Sequence, residues 1–432
     1  MTRQITNGIR VGIFRDRPVL ESCRAAYSSV IVPAHIAAYA GDGLWGFLTG
    51  VQRAGGPLDF WYDPMTYYIE LGTEYWFRGS EGNAGPKGTL PASDEREIRP
   101  AFRELLRAYG LLGAALTGTA DDIRNELIST GTKAVLDFQR NGVSPKTRKA
   151  VSKYARILEL DLDDDSLQPS RVVAPYLAIT GRDAIGQRNQ GLLNSAALDQ
   201  RQDGEAIWTV LALEAAVRSG PFSAEEVGRL RLHEFDGVGV WLSGLDEYSS
   251  PARQLRDYRS LIASIGRPVW LLYAGFYGLL LSPEGVVAVS HGVYYTESKR
   301  IRSSVGSGPP AERYYIPRLH RFFEPARAIR AISLVPALAC DCPECPSLDA
   351  LRTELLLSTT GPERRMAWIS RLQRHFLLAR AREVAEVSRL ERDEVLRTLA
   401  ATRDEVQDAM DADPDEEARL TGHLTTWIES FA

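Results

Sequence analysis

Apolar residues along the chain gather into short runs that are apolar almost throughout, separated by longer stretches in which they recur every three or four positions. The runs are SSVIVPAH (28–35), LDFWYD (58–63), TKAVLDF (132–138), VVAPYLAIT (172–180), AIWTVLAL (206–213), GVGVWLSG (237–244), RPVWLLYAG (267–275) and GVVAVSHG (285–292). Rich in β-branched and aromatic residues, they read as eight strands. The periodic stretches, for example 102–116, 144–160, 224–235 and 250–265, read as amphipathic helices. A strand without a polar face needs cover on both sides, which a closed parallel sheet wrapped by helices provides. An open doubly wound sheet is the competitor, but no Gly-rich dinucleotide fingerprint follows the first run. The expected fold is α/β, a (β/α)8 TIM-type barrel.

After the eighth run the alternation stops. A basic loop, a cysteine cluster, a long helical stretch from about 362 to about 405 and a charged tail with DADPDEEAR follow. The expected division is a barrel at 1–296, a basic loop with a zinc-binding subdomain at 297–361, and C-terminal helices at 362–432 that complete barrel and metal site.

A chain of 432 residues, 44% hydrophobic and 25% charged, can bury a large core. No stretch reaches the roughly 18 consecutive apolar residues of a bilayer span, and MTRQITNGIRVGIFRDRPVL lacks a signal peptide's apolar core. The expectation is a cytoplasmic protein with no membrane partner. A net charge of -5 weighs against nucleic acid, yet the charge is unevenly spread. Between Glu297 and Arg330, eight cationic residues face three glutamates, with Tyr314, Tyr315, Phe322 and Phe323 among them. Cations pair with phosphates and rings stack on unpaired bases, so Lys299, Arg300, Arg302, Arg313, Arg318 and Arg321 form a candidate nucleic-acid surface. The alternative is that the rings pack beneath the loop and the arginines are merely solvated.

Three of the four cysteines stand within CDCPEC, too close together for a disulfide framework. Cys-x-Cys-x-x-Cys sets three thiolates on one turn, and zinc takes four such ligands in a tetrahedron. Cys340, Cys342 and Cys345 are the expected ligands, completed by His375 on the long helix, with His320 as the reserve. Four protein ligands close the site, so the Zn2+ would be structural. Free thiols or a redox cluster are the alternative. Cys23 reads as an ordinary helix or core residue.

Barrel enzymes carry their chemistry at the C-terminal ends of the strands. The polar residues there are His35, Asp63, Asp137, Arg182 with Asp183, Asp246 with Glu247, and Ser290 with His291. Converging carboxylates suit proton transfer to a leaving base, attack on an anomeric carbon, or hydrogen bonding to a purine edge. Such residues are also common as helix caps.

A Cys-x-Cys-x-x-Cys followed by a helical histidine, just after the last strand of a barrel, resembles the zinc subdomain of the tRNA-guanine transglycosylases and their DNA-acting relatives. RLQRHFLLARAREV resembles the helix that supplies the histidine, and RPVWLLYAGFYGLLLSPEGVVAVSHG the last two strands of that barrel. The resemblance implies a pentosyltransferase that exchanges guanine for a 7-deazaguanine base in tRNA or DNA. It also implies an aspartate on the last strand that attacks the ribose C1′, and this chain has Ser290 there, with His291 next. The family's two other aspartates correspond in place to Asp63 and Asp137, although Asp63 precedes Pro-Met-Thr where the family has Ser-Gly-Gly. If exchange occurs, Asp246 is the expected substitute nucleophile, so the candidate catalytic set is Asp63, Asp137, Asp246 and His291. Two other readings stay open: a catalytically silent nucleic-acid-binding subunit of a larger complex, with a protein partner or as a homodimer, and an unrelated hydrolase using His291.

Overall fold

The computed structural model describes residues 4–12, 16–56, 58–71, 95–117, 120–141, 168–179, 184–214, 220–293, 297, 299–301, 312–345, 347–411 and 413–432. Its strands are β1 (Thr6–Arg10), β2 (Ser29–Pro33), β3 (Asp59–Asp63), β4 (Val172–Val173), β5 (Ala178–Ile179), β6 (Ile207–Glu214), β7 (Gly237–Ser243), β8 (Val269–Leu272) and β9 (Val286–Gly292). All pair in parallel, in the order β3-β2-β1-β9-β8-β7-β6-β4, with β5 also on β6. Ser170 N donates to Phe60 O at 2.9 Å and so bridges β3 to the residues before β4. Because β4 and β5 are two pieces of one barrel strand, the result is a nearly closed eight-stranded parallel barrel surrounded by helices.

The count of eight agrees with the sequence reading, but two of its members differ. TKAVLDF is not a strand: it lies in the helix Thr132–Asn141, which buries Thr132, Val135, Leu136 and Gln139. Those positions are three, one and three apart, a single helical face that emerges only when the run is extended to Gln139. The missing strand is β1, whose TNGIR carries Asn, Gly and Arg and shows little β-propensity. It forms because it lies between β2 and β9, with Gly8 opposite both Ser29 and Ser290. The helical stretch expected at 144–160 lies outside the described residues.

Alternation along the strands separates two cores. Val30, Val32, Phe60, Tyr62, Leu211, Leu213, Val238, Val240 and Val289 point outward under the helices. Ile31, Trp61, Val173, Val210, Ala212, Trp241, Trp270 and Ala288 fill the barrel. Indole rings in so narrow an interior need neighbours without side chains. A Cβ on Gly8 would lie 2.6 Å from Trp270 Cζ2, and one on Gly237 2.4 to 2.5 Å from the Trp208 ring.

Beyond β9 come a short antiparallel hairpin, β10 (Tyr314–Ile316) and β11 (Arg321–Phe323), and the helices Pro325–Leu334, Leu348–Ser358, Pro362–Val387, Arg392–Ala409 and Pro414–Phe431. Helix Pro362–Val387 packs on β1, on helix Arg17–Ser22 and on β10, the place of the last barrel helix. No described helix is long and apolar enough to cross a membrane.

Candidate functional site in the barrel mouth

At the C-terminal ends of the strands, Arg10 from β1 reaches across β2 to Asp63 at the end of β3, with Nη1 2.5 Å from Oδ2. Asp63 Oδ1 accepts from Tyr176 Oη at 2.7 Å and from Met65 N at 2.9 Å. Tyr176 stands in the break between β4 and β5, fixed by a pair of 2.7 Å bonds between its backbone and Thr66 Oγ1. A wall of rings surrounds the pair: Tyr67 stacks on Tyr176 and Tyr68 and meets Trp241 edge-on, and Trp241 meets Tyr273. The Arg10 guanidinium lies 5.2 Å from the centre of the Tyr273 ring, and its Nη2 is buried with no partner among the described residues.

Backbone strain marks the same region. Only four described non-glycine residues have positive φ, and two of them, Met65 (54°) and Tyr273 (57°), lie within two residues of the ends of β3 and β8 at this mouth. Such conformations persist where the surroundings over-determine them, and they cluster at functional sites.

Lys299 enters the mouth from the segment after β9. Its Nζ lies 3.4 Å from Tyr273 Oη, 5.2 Å from the centre of that ring and 5.7 Å from that of Trp241. Burial, then the Arg10 charge, lowers its pKa to about 7, against a smaller pull from Asp63. Burial followed by the same two cations lowers His35 to about 4; its Nδ1 lies 2.9 Å from Met65 Sδ. On β6, Glu214 stands in register with Ser243, two positions beyond the inward-facing Trp241 and Ala212, so alternation turns it toward the mouth. It has no hydrogen bond or ion pair to a described residue and is half-buried.

Of the four candidate catalytic residues, only Asp63 is in this mouth. Asp137 is on the outer helix Thr132–Asn141, where it is ion-paired with Lys133 and Arg140; the strand reading of 132–138 places it at a strand end, and the helix moves it to the outside of the barrel. Asp246 closes the turn after β7, accepting from Tyr248 N at 3.0 Å and Ser249 Oγ at 2.8 Å, and does not cap the helix Ala252–Ile265, whose N-cap is Pro251. His291 has the outward parity on β9: Nε2 lies 3.2 Å from Asn7 Oδ1, the ring meets Phe376 edge-on, and burial lowers its pKa to about 3. It is a neutral core histidine. Ser290 has the inward parity, and its hydroxyl donates to Leu271 O at 3.2 Å. Arg182 and Asp183 lie outside the described residues. Arg10, Tyr176, Tyr273 and Glu214 were missed; Arg10 could have been found only by recognising TNGIR as a strand.

Beside the mouth, over the ends of β7 to β9, is a second polar cluster that is wholly buried. Arg380 contacts Glu297 and lies 3.2 Å from Glu383. Glu383 also accepts from Tyr315 Oη at 2.9 Å and pairs with His320 Nδ1 at 2.7 Å. Glu247 accepts from Gly275 N and Tyr277 N at 2.9 and 3.0 Å. Burial, then repulsion from Glu297, pushes Glu247 up to about 8, and burial pushes Glu297 up to about 7 against the pull of Arg380. Helix Pro414–Phe431 covers this chamber, with Trp427 Nε1 donating to Glu247 O at 2.7 Å.

The cluster reduces the expected nucleic-acid surface. Tyr314, Tyr315, Phe322 and Phe323 are buried core residues. Arg318 is paired with Glu405 at 2.9 Å, Arg321 donates to Arg419 O and lies over the Tyr248 ring, and Arg313 is 3.6 Å from Glu324. Arg318 and Arg321 fasten the hairpin to the C-terminal helices and Arg313 pairs across its base, so the rings pack beneath as in the alternative reading, while these arginines are paired and not merely solvated. Lys299 turns inward, Arg300 is exposed, and Arg302 lies outside the described residues.

On the far side of the hairpin, Cys340, Cys342, Cys345 and His375 bring four ligand atoms within 4.8 Å of one another. His375 Nδ1 lies 3.3 Å from both Cys342 Sγ and Cys345 Sγ. A tetrahedron with metal–ligand bonds of roughly 2.0–2.3 Å has edges of roughly 3.3–3.8 Å, so the set suits a small tetrahedral ion. His375 Nε2 donates to Tyr315 O at 2.6 Å, which fixes the tautomer and leaves Nδ1 free to bind metal. Tyr314 stacks on the imidazole, and its hydroxyl lies 3.1 Å from Cys345 Sγ. The reserve ligand, His320, is instead committed to Glu383.

No model of a known protein family matches this chain, and no curated protein sequence matches it.

Proposed function

We propose that the chain handles a nucleobase in the barrel mouth, as a transglycosylase-like protein that exchanges guanine or 7-deazaguanine in tRNA or DNA, with one structural Zn2+ on Cys340, Cys342, Cys345 and His375. The observation that carries this reading is the ring-walled mouth with the buried Arg10–Asp63 pair at its floor. Rings take a flat heterocycle face-on, and a base reaches such a floor only when flipped out of its strand. A guanidinium and a carboxylate side by side match the acceptors and donors on a guanine edge. Zinc bound by four protein ligands would hold the CDCPEC turn to the long helix and supply folding energy, with no part in the reaction.

Base exchange requires a carboxylate to attack C1′ while the leaving base takes a proton. Asp246 is committed to its turn, so Glu214 becomes the preferred nucleophile: it shares the mouth with Asp63, two barrel strands away, and has no described partner. The test is to incubate the protein with tRNA and with duplex DNA, add labelled guanine or 7-deazaguanine, and measure incorporation and a covalent complex that survives denaturation. Incorporation that is lost in Glu214→Gln supports the reading, and incorporation unchanged in that variant removes the proposed nucleophile.

One observation favours a second reading, the silent nucleic-acid-binding subunit: Ser290 stands where the resembled family attacks, and its hydroxyl is spent on Leu271 O. Retained binding of either polymer without any incorporation would select it.

A further inference from the structure

Lysine is scarce in this chain, six residues in all. Among the described residues there are two, and they differ in kind. Lys133 is on an outer helix and ion-paired with Asp137. Lys299 has no carboxylate within ion-pairing distance among the described residues; its ammonium position is flanked by the rings of Tyr273 and Trp241, with one polar neighbour, Tyr273 Oη at 3.4 Å. The backbone that carries it is clamped: Lys299 O accepts from Trp241 Nε1 at 2.9 Å, and Ile301 N donates to Ser243 Oγ at 2.8 Å. Tyr273 is itself held in a left-handed conformation, φ 57°, which sets its hydroxyl against the amine.

We propose that Lys299 is a nucleophilic amine of the barrel mouth, placed to condense with the carbonyl carbon of an aldehyde, either a free small molecule or the opened sugar of a nucleic acid that has lost a base. An amine enclosed by rings and set beside a second cation gives up its proton near neutrality, the circumstance in which lysines attack carbonyl groups. The charged and titratable groups that face Lys299 are Arg10, Asp63, His35 and Tyr273, and of these only Asp63 favours the ammonium form. Lys299 as a whole is partly exposed.

In the reaction, the Nζ lone pair forms a bond to the carbonyl carbon as the C=O π pair moves to oxygen, and the oxygen takes one of the two amine protons to become the hydroxyl of a carbinolamine. That hydroxyl leaves as water, taking a proton from Tyr273 Oη. The remaining proton on nitrogen passes to the tyrosine oxygen and leaves a neutral imine. No oxidant, metal or cofactor is consumed, and the phenol ends as it began.

The proposal needs only the geometry of the mouth and does not rest on base exchange. It is tested on the full-length protein with propanal and cyanoborohydride, which reduces an imine to a stable secondary amine, followed by peptide mass mapping of the six lysines. At pH 7, Lys299 is expected to gain the adduct at least ten times faster than Lys133, with the ratio narrowing at pH 9 as ordinary lysines lose their protons. An adduct at Lys299 no faster than at Lys133 at pH 7, or one that forms only after unfolding, overturns it. Lys299→Met, checked for an unchanged melting temperature, should lose the fast adduct; a fast adduct that persists overturns the assignment to this residue.

A second arm separates the two sources of the aldehyde. A duplex with one abasic site, trapped under the same conditions, should cross-link to Lys299 if nucleic acid presents the carbonyl. Trapping of free 2-deoxyribose but not the duplex would support the amine and count against the nucleic-acid reading. Failure of propanal, sugar and duplex alike would leave Lys299 a structural residue.

Discussion

Replacing Cys342 by serine removes the most deeply buried thiol of the Cys3His cluster, 2% exposed and 3.3 Å from His375 Nδ1. If the cluster holds zinc, the variant loses the metal and the stability linked to it. A metal present at about a thousand times its dissociation constant contributes about 4.1 kcal/mol to the folded state. Unfolding entropy of roughly 2.1 cal/mol/K per residue gives about 0.9 kcal/mol/K over 432 residues, so the melting temperature should fall by about 4–5 °C. The drop should be reproduced in the unmodified protein by a strong chelator and reversed by added zinc. Cys23 provides the control: it is buried near the same helix, with Sγ 4.0 Å from Arg374 O, but stands outside the cluster. Cys23→Ala should keep one zinc per chain, measured by plasma emission on protein purified without chelator. Zinc-free protein with an undamaged melting transition, or equal metal content in Cys342→Ser, would refute the reasoning.

Three further outcomes are expected. Gly237→Ala puts a methyl group 2.4 to 2.5 Å from the Trp208 ring and should cost about 1–3 kcal/mol in denaturant unfolding, with the indole fluorescence altered. Arg300→Glu should reduce the salt dependence of nucleic-acid binding by about one charge, whereas Arg318→Glu, which opposes Glu405, should lower the melting temperature and leave the salt slope unchanged. Stability should also vary with pH in a defined way. The folded values of Glu247 (about 8) and Glu297 (about 7) lie above the ordinary 4.5, so the folded chain binds their protons more tightly and loses stability as pH rises from about 4.5 through 8. The histidines act in the opposite sense: His35 (about 4) and His291 (about 3) lie below 6.5, so stability is lost as pH falls from about 6.5 through 3. Lys299 (about 7, against the ordinary 10.5) acts in the histidines' sense and regains stability as pH rises from about 7 through 10.5, which offsets the acids there. In Lys299→Met, which removes that offset, the melting temperature should peak between about pH 5 and 7, and a flat profile from pH 6 to 9 would count against the buried carboxylic acids.

Seven of the barrel's strands were legible because each is apolar on both faces, the simplest consequence of enclosure by helices. TKAVLDF and TNGIR show where that signal misleads. The first is β-prone over seven residues but helical over ten, and only the buried Gln139, whose amide exchanges 2.8 Å bonds with Val173, completes its face. The second is a strand by position alone, stabilised by its neighbours. The metal cluster was legible because its spacing is local and its fourth ligand lies on a strongly periodic helix. The mouth was not, because Arg10, Asp63, Tyr176 and Tyr273 are brought together from four separate strands, and no spacing along the chain encodes that. The basic loop misled for a related reason: arginine and aromatic residues in alternation make a phosphate-binding surface or a hairpin tied down by ion pairs, and only the acidic partners on remote helices, Glu405 among them, decide which.

The pairing of β1 with β9, Thr6 opposite Ala288, has a consequence for how the chain is made. At roughly 5–20 residues per second, about 15 seconds to a minute of synthesis separates the two strands. During that time one side of β1 has no neighbour, and an uncovered parallel edge is an invitation to pair with the wrong chain. The polar TNGIR sequence suits such a wait: Asn7, Gly8 and Arg10 make poor aggregation seeds while exposed, and once β9 arrives the same arginine becomes the floor of the mouth. The low β-propensity that hid this strand in the sequence would then be the feature that keeps the nascent barrel soluble until it closes.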